Sequence, residues 1–213
     1  MCGRYRRSSS KQRIAEAFGI TEELDELDLG PSDDIAPGSM QPVVSIDPDG
    51  HRHLQLMRWG FKLPGSFLFN ARSEGIETAK FWKDAFLSNR VLVPADAIFE
   101  WAQHTGAKKK PKYELTIPAR QPFAMAGLSK LWKNPKTDLW EPTFAILTGP
   151  PNPVMQPIHD RMTTFLNPRD YAEYLEPSER PPLHLLRILP AEELRATLIE
   201  SPTIPHQQPT LFD

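Results

Sequence analysis

The chain has 213 residues, 39% of them hydrophobic and 24% charged, with a formal net charge of −2. That composition is globular and fills one sizeable domain, and it excludes a general polycation, so any nucleic-acid contact needs a local basic face. No window approaches the roughly 18 apolar residues that span a bilayer, and the start "MCGRYRRSSS" lacks the apolar run of a signal peptide. The one cysteine cannot form an internal disulfide, which fits a reducing cytoplasm. The 23 prolines argue for short elements joined by ordered loops.

"SSSKQRIAEAFGI" predicts a capped amphipathic helix: Ser10 caps it, Ile14, Ala17 and Phe18 share a face, and Gly19 stops it. Arg6, Arg7 and the other serines read as basic surface and cap. Acid gathers over 22–34, away from the basic start and from "KKKPK" at 108–112. "MQPVVSIDPDGHRHLQLMRWGF" predicts a hairpin around "DPDG". "TAKFWKDAFLSN" has a helical period, with Phe81, Trp82, Ala85 and Phe86 inward. "RVLVPADAIFEW" is strand-like, with Pro94 breaking it or marking an edge. "KYELTI", "FAMAGL" and "PTFAILT" read as further strands, "PRDYAEYL" and "PAEELRATLIE" as helices with Pro168 and Pro190 in first turns. No βαβ rhythm emerges. The expectation is a single α+β domain over 2–200 with a curled, mainly antiparallel sheet and short helices, followed by a disordered tail at 201–213.

Five features could carry chemistry. Cys2 by position alone reads equally as a tolerated small residue near a terminus. If Met1 is removed, it becomes a 1,2-aminothiol, with an amine of pKa about 7.7–8.0 and a thiol near 8.5. Such a pair condenses with an aldehyde to a Schiff base, which the thiol closes to a five-membered thiazolidine. The thiol could instead serve as a peptidase-type nucleophile. "FLFNARSEG" crowds Asn70 and Arg72 after an apolar run, as an ordinary polar loop or as an orienter and a phosphate fork. In "VPADAIFEW", alternation puts Glu100 opposite Phe99 and Trp101; it is a solvent-facing carboxylate or, in a pocket, a general acid/base. "PIHDRM" sets His159, Asp160 and Arg161 in an apolar, proline-rich stretch. Trp59, beside Arg58, is either core or a stacking platform for a base. No histidine pair has metal-ligand spacing, and no cofactor motif is present.

Together these segments resemble the SOS response-associated peptidase (SRAP) family of abasic-site processing proteins. The matching motifs run in order over about residues 1–175: "MCGRY", "DDIAPGSMQPVV", "MRWGF", "FNARSEG", "FWKDAF", "RVLVPADAIFEW", "FAMAGLSKLW" and "TFAILTGPPNPVMQPIHDRM". The resemblance implies a barrel-like curled sheet with a basic groove and an activity on abasic sites in single-stranded DNA. It implies that processed Cys2 forms a covalent thiazolidine crosslink, that Asn70 positions it and that Glu100 shuttles protons. It implies that His159 assists sugar ring opening and crosslink reversal. Arg4, Arg72 and Arg161 would hold phosphates, with Trp59 and Trp101 near flanking bases. No cofactor, membrane or partner subunit is implied, and a bacterial member would sit on the nucleoid. "AIFEW" stands where the family has "GFYEW", "HDRMT" where it has "HDRMP", and "KLPGSF" lacks a second tryptophan; none of these changes touches Cys2, Asn70, Glu100 or His159. Two other readings stand beside crosslinking: a cysteine peptidase acting on its own leader, and a non-covalent single-strand binder.

The tail ends "QQPTLFD". Gln208, Leu211 and Phe212 match the Q-x-x-L-F peptide by which bacterial repair proteins dock on the replication sliding clamp, or match it by accident.

Overall fold

A computed structural model describes residues 3–22, 29–103 and 110–200. Fifteen strands and three short α-helices follow one another in it. The chain opens with β1 (Arg4–Arg7), α1 (Lys11–Phe18) and β2 (Ser32–Ile35), then the hairpin β3 (Met40–Ile46) and β4 (Arg52–Trp59). Three short strands follow: β5 (Phe61–Leu63), β6 (Ser66–Leu68) and β7 (Asn70–Arg72). Next come α2 (Lys83–Ser88), β8 (Arg90–Ala95), β9 (Ala97–Trp101), β10 (Lys112–Thr116), β11 (Phe123–Lys133) and β12 (Trp140–Gly149). The chain closes with β13 (Met162–Thr163), β14 (Phe165–Leu166), α3 (Tyr171–Leu175) and β15 (Arg195–Glu200).

The local rules that predicted α1 act as expected. Ser10 Oγ accepts from Arg13 N–H at 3.2 Å, and Gly19 closes the helix at φ 64°, a left-handed conformation that glycine adopts without penalty. The β3–β4 turn is fixed by Asp47, whose Oδ1 accepts from the Asp49 and His51 amides at 2.9 and 2.8 Å. Trp82, Ala85 and Phe86 are buried as the helical period required, but only 83–88 form the helix.

Strands β3, β4, β12, β11 and β8 close on themselves: β4 pairs with β12 in parallel, and every other step of the ring is antiparallel. A second sheet runs in the order β15-β10-β9-β1-β2. Alternation sends Val44, Leu54, Leu92, Ala126 and Ala145 into a cluster with the three helices. It sends Val43, Met57, Val91, Val93 and Phe144 into another with Tyr5, Ile35, Ile98 and Leu115 of the second sheet. The two cores therefore share the barrel wall. Arg90, only 2% exposed, closes the helical side: its guanidinium donates to the carbonyls of Phe86 and Leu87 in α2 and of Tyr174 and Glu176 at the end of α3.

Three expectations are corrected. "RATLIE" is a strand, not a helix: only 191–193 form a turn, and β15 pairs with β10 from Arg195 opposite Thr116 to Glu200 opposite Lys112. An open strand edge offers Thr197 and Ile199 more than local helix propensity does. Pro94 does not break β8 but pairs with Ala124, and the bend falls two residues later at Asp96. Arg7 and the serines are not plain surface. Arg7 is buried, and Asp96 accepts from Ser8 N–H at 2.7 Å, Ser9 N–H at 2.8 Å and the Ser9 hydroxyl at 2.6 Å. The Asp96 amide in turn donates to Arg6 O at 2.8 Å, so the first strand is pinned at the β8–β9 bend.

Candidate active site

Strand β1 is an interior strand of its sheet, between β2 and β9. Arg4 lies opposite Phe99, and the same register extended by one residue sets Gly3 level with Glu100. The chain thus leaves β1 at Glu100. Cys2, the tail and its residues Gln208, Leu211 and Phe212 lie outside the described residues.

Glu100 is 4% exposed, on the strand face opposite Phe99 and Trp101. Lys112 Nζ marks that other face, 4.6 Å from the Phe99 ring centre and 5.2 Å from that of Trp101. Burial pushes the Glu100 carboxyl up to about 7, and the nearby Asp160 charge pushes the same way. The loop bearing His159 reaches this strand through Gln103, whose N–H donates to Ile158 O at 3.0 Å and whose amide contacts His159 Nε2. The His159 ring is buried, with Nδ1 2.7 Å from the Asp160 carboxylate and 2.9 Å from Arg161 N.

The ends of β7 and β12 supply the other wall. Asn70, half-buried, pairs with Ile146, and Arg72 with Thr148. Arg161 reaches across to Thr148 O at 2.5 Å and grips Glu74 with both terminal nitrogens. That fork holds the Glu74 carboxyl down at about 2. Arg72 is exposed, while Arg4 is half-exposed and paired with Asp34 at 2.7 Å. A cleft of about 140 Å³ lined by Leu68, Asn70, Arg72 and Thr148 opens here. A larger cavity of about 560 Å³, bounded by Lys62, Phe67, Trp132 and Lys136, contains none of these groups. Glu100 and His159 line neither of these two cavities; Arg161, two residues after His159, ties the histidine's loop to the smaller cleft through Thr148.

The structure thus gathers Glu100 and His159 on one side and Asn70, Arg72 and Arg161 on the other, joined through Thr148 and the 158–161 loop. It does not do so for Trp59. That ring is fully buried, donates Nε1–H to Phe69 O at 2.9 Å, and packs on Tyr5, Phe69 and Phe144. It has no face for a base, and the expectation that Trp59 stacks on DNA fails. Trp101 remains half-exposed. Sequence reasoning gave no role to Gln103, Glu74, Asp160 or Thr148. Glu74, Thr148 and Asp160 stood inside quoted motifs; Gln103 carried no local signal. Among the described residues no group of three or more His, Cys, Asp or Glu side chains could hold a metal ion, and no helix is long and apolar enough to cross a membrane.

Comparison with known proteins bears on the family and the fold. Residues 1–202 match the SOS response associated peptidase (SRAP) family. The abasic site processing protein YoqW of Bacillus subtilis is 31% identical over 94% of this chain and 93% of its own length. YedK of Escherichia coli, named likewise, is 30% identical over 82% of this chain and 79% of its own. A crystal structure from Bacteroides thetaiotaomicron superimposes with a TM-score of 0.80, covering 96% of this chain and 97% of that one at 22% identity. On the match over residues 1–202 and the identity to YoqW over most of both chains, the chain belongs to the SRAP family.

Proposed function

We propose that this protein captures abasic sites in single-stranded DNA covalently, through the amine and thiol of Cys2 once Met1 has been removed. The observation that carries the reading is Glu100: a buried carboxyl with a pKa of about 7, within reach of the Asp160 charge next to His159, on the strand against which the N-terminal segment runs. A group that titrates near neutrality gives and takes protons with equal ease. The relatives named abasic site processing proteins support the same substrate.

The chemistry balances on these residues. A ring-closed abasic sugar opens when a proton leaves its anomeric hydroxyl and one reaches the ring oxygen, a transfer assigned to His159. The Cys2 amine adds to the aldehyde, and the carbinolamine loses water with a proton from Glu100, giving the Schiff base. The thiol sulfur then attacks the carbon of this protonated imine, the C=N electron pair returns to the nitrogen, and the thiol proton goes back to Glu100. The product is a thiazolidine plus one water. Asn70 orients the aminothiol, Arg4, Arg72 and Arg161 hold phosphates, and Trp101 lies against a flanking base. Phosphate contacts release counterions, so affinity falls steeply with salt.

A denaturing gel tests this. Wild type with abasic single-stranded DNA gives a shifted band; Cys2→Ala loses it; Cys2→Ser forms no stable adduct, because oxygen is the weaker nucleophile. Stable crosslinking by either variant sinks the proposal. Binding without a covalent band points to a non-covalent binder, and peptide cleavage without DNA capture to a peptidase. For the tail, loss of sliding-clamp pull-down on deleting Leu211 and Phe212 supports docking there, and unchanged capture removes it.

A further inference from the structure

His159 Nδ1 faces two groups with opposite demands. The Arg161 backbone N–H, 2.9 Å away, asks for a lone pair. The Asp160 carboxylate, 2.7 Å away, asks for a hydrogen. The two tautomers of a neutral ring each satisfy one of them. Only the Arg161 contact has hydrogen-bond geometry, but a carboxylate oxygen 2.7 Å from a ring lone pair is strongly repelled, and it is this close approach of Asp160 that favours a hydrogen on Nδ1. The lone pair then lies on Nε2, where the Gln103 amide N–H donates to it. This arrangement uses the Gln103 amide as it stands. The other tautomer would need the amide turned over and would leave the carboxylate facing a lone pair.

We propose that Asp160 is the positioning residue that holds His159 in its Nδ1–H tautomer, leaving Nε2 as the basic atom, and that the Gln103 amide occupies Nε2 until a sugar hydroxyl replaces it. The logic is that of an acid–histidine pair, with the carboxylate orienting the ring and stabilising the imidazolium formed when Nε2 takes a proton. Asp160 is 69% exposed in its side chain, while His159 is buried, so the pair runs from solvent into the site. Gln103 is exposed and its backbone is anchored, so its amide can swing aside without disturbing β9. The inference rests on the proposed crosslinking only for its kinetic arm. Among the described residues, the charged groups near the ring are Asp160 and Arg161 from its own loop, Glu74 through Arg161, and Glu100 on β9, whose carboxyl feels the Asp160 charge.

Two readouts test it. Nitrogen NMR of the free protein, with the signal assigned by His159→Gln, reports the tautomer without DNA. Wild type should show a protonated Nδ1 and an unprotonated Nε2. Asp160→Ala should reverse this, because only Arg161 N–H remains at Nδ1, while Gln103→Ala should not. Single-turnover crosslinking above about pH 8, where Glu100 is ionised in every variant, should slow about tenfold or more in Asp160→Ala, within the 10²–10⁴ range of acid–base catalysis. Gln103→Ala should crosslink at least as fast as wild type. An unchanged tautomer in Asp160→Ala overturns the proposal, as does a reversed tautomer with an unchanged rate. A Gln103→Ala defect as steep as that of Asp160→Ala removes the placeholder role. If wild type forms no crosslink, the proposed function has failed, and the NMR result alone still decides whether Asp160 sets the tautomer.

Discussion

Glu100 makes the protein's stability depend on pH in a direction opposite to that of most carboxylates. Its ordinary pKa of 4.5 rises to about 7 in the folded chain, because burial disfavours the charge. Between those values the folded state keeps a proton that the unfolded state has lost, so stability falls as pH rises through about 4.5 to 7. A shift of about 2.5 units at 1.36 kcal/mol each is about 3 kcal/mol of destabilisation, complete by about pH 8 and absent below about pH 4.5. Glu100→Gln keeps the shape and removes the charge. It should match wild type in stability at about pH 4.5 and exceed it by about 3 kcal/mol at about pH 8. For a chain of 213 residues that is roughly 6–12 °C in Tm. Thermal melts of the two proteins across that range measure it directly. A gap that stays constant with pH, or one that favours wild type more as pH rises, refutes the claim that Glu100 is buried at a cost. The same variant should crosslink poorly at every pH, because an amide cannot shuttle protons. Stability gained where activity is lost would identify the carboxyl as functional and not structural.

Asp96→Ala removes three bonds to a charged acceptor and strands the Ser8 and Ser9 amides; it should cost about 3 kcal/mol in urea unfolding and slow crosslinking by loosening β1. Trp59→Ala should cost about 3–5 kcal/mol of stability, as loss of a large core aromatic does. Trp101→Ala should leave the Tm nearly unchanged and weaken single-stranded DNA binding by about 1–3 kcal/mol in anisotropy titrations. Equal behaviour of the two tryptophan variants would contradict their different burial. The Glu74–Arg161 pair stabilises the fold above the ordinary pKa of 4.5 and loses its contribution as pH falls toward about 2. Acid titration of Glu74→Gln should therefore lack an unfolding limb that wild type shows.

Local signals were legible and distant ones were not. The α1 cap and stop, the β3–β4 hairpin and the inward-facing Ala85 and Phe86 of α2 depend on neighbours within a few residues, and each formed where the sequence placed it, although α2 keeps only residues 83–88 of its predicted span. β15 did not, since the edge it completes belongs to β10, some eighty residues earlier. The pin at Asp96 reaches back 87 and 88 residues to Ser9 and Ser8, so nothing near either end announced it. Trp59 was misjudged for a subtler reason. Its basic neighbour Arg58 suggested a groove, but adjacent strand residues face opposite ways. Arg58 turns to Glu141 and Gly38, and Trp59 turns to the core. For Glu100 the same alternation was applied and gave the right face. Asn70 and His159 were recognisable through their motifs; Gln103, which meets His159 across 56 positions, was not.

The Arg90 clamp bears on how the protein breathes. Helices α2 and α3 are six and five residues long, too short to be stable alone, and one guanidinium satisfies the terminal carbonyls of both. Neither end can fray without withdrawing a bond from a cation that burial already disfavours. The helices should therefore open to hydrogen exchange as one cooperative unit, although the start of α3 at Tyr171 lies 83 positions beyond the end of α2 at Ser88. Arg90→Met would divide that unit in two, with each helix exchanging on its own schedule while the amides of β3, β4 and β12 stay protected.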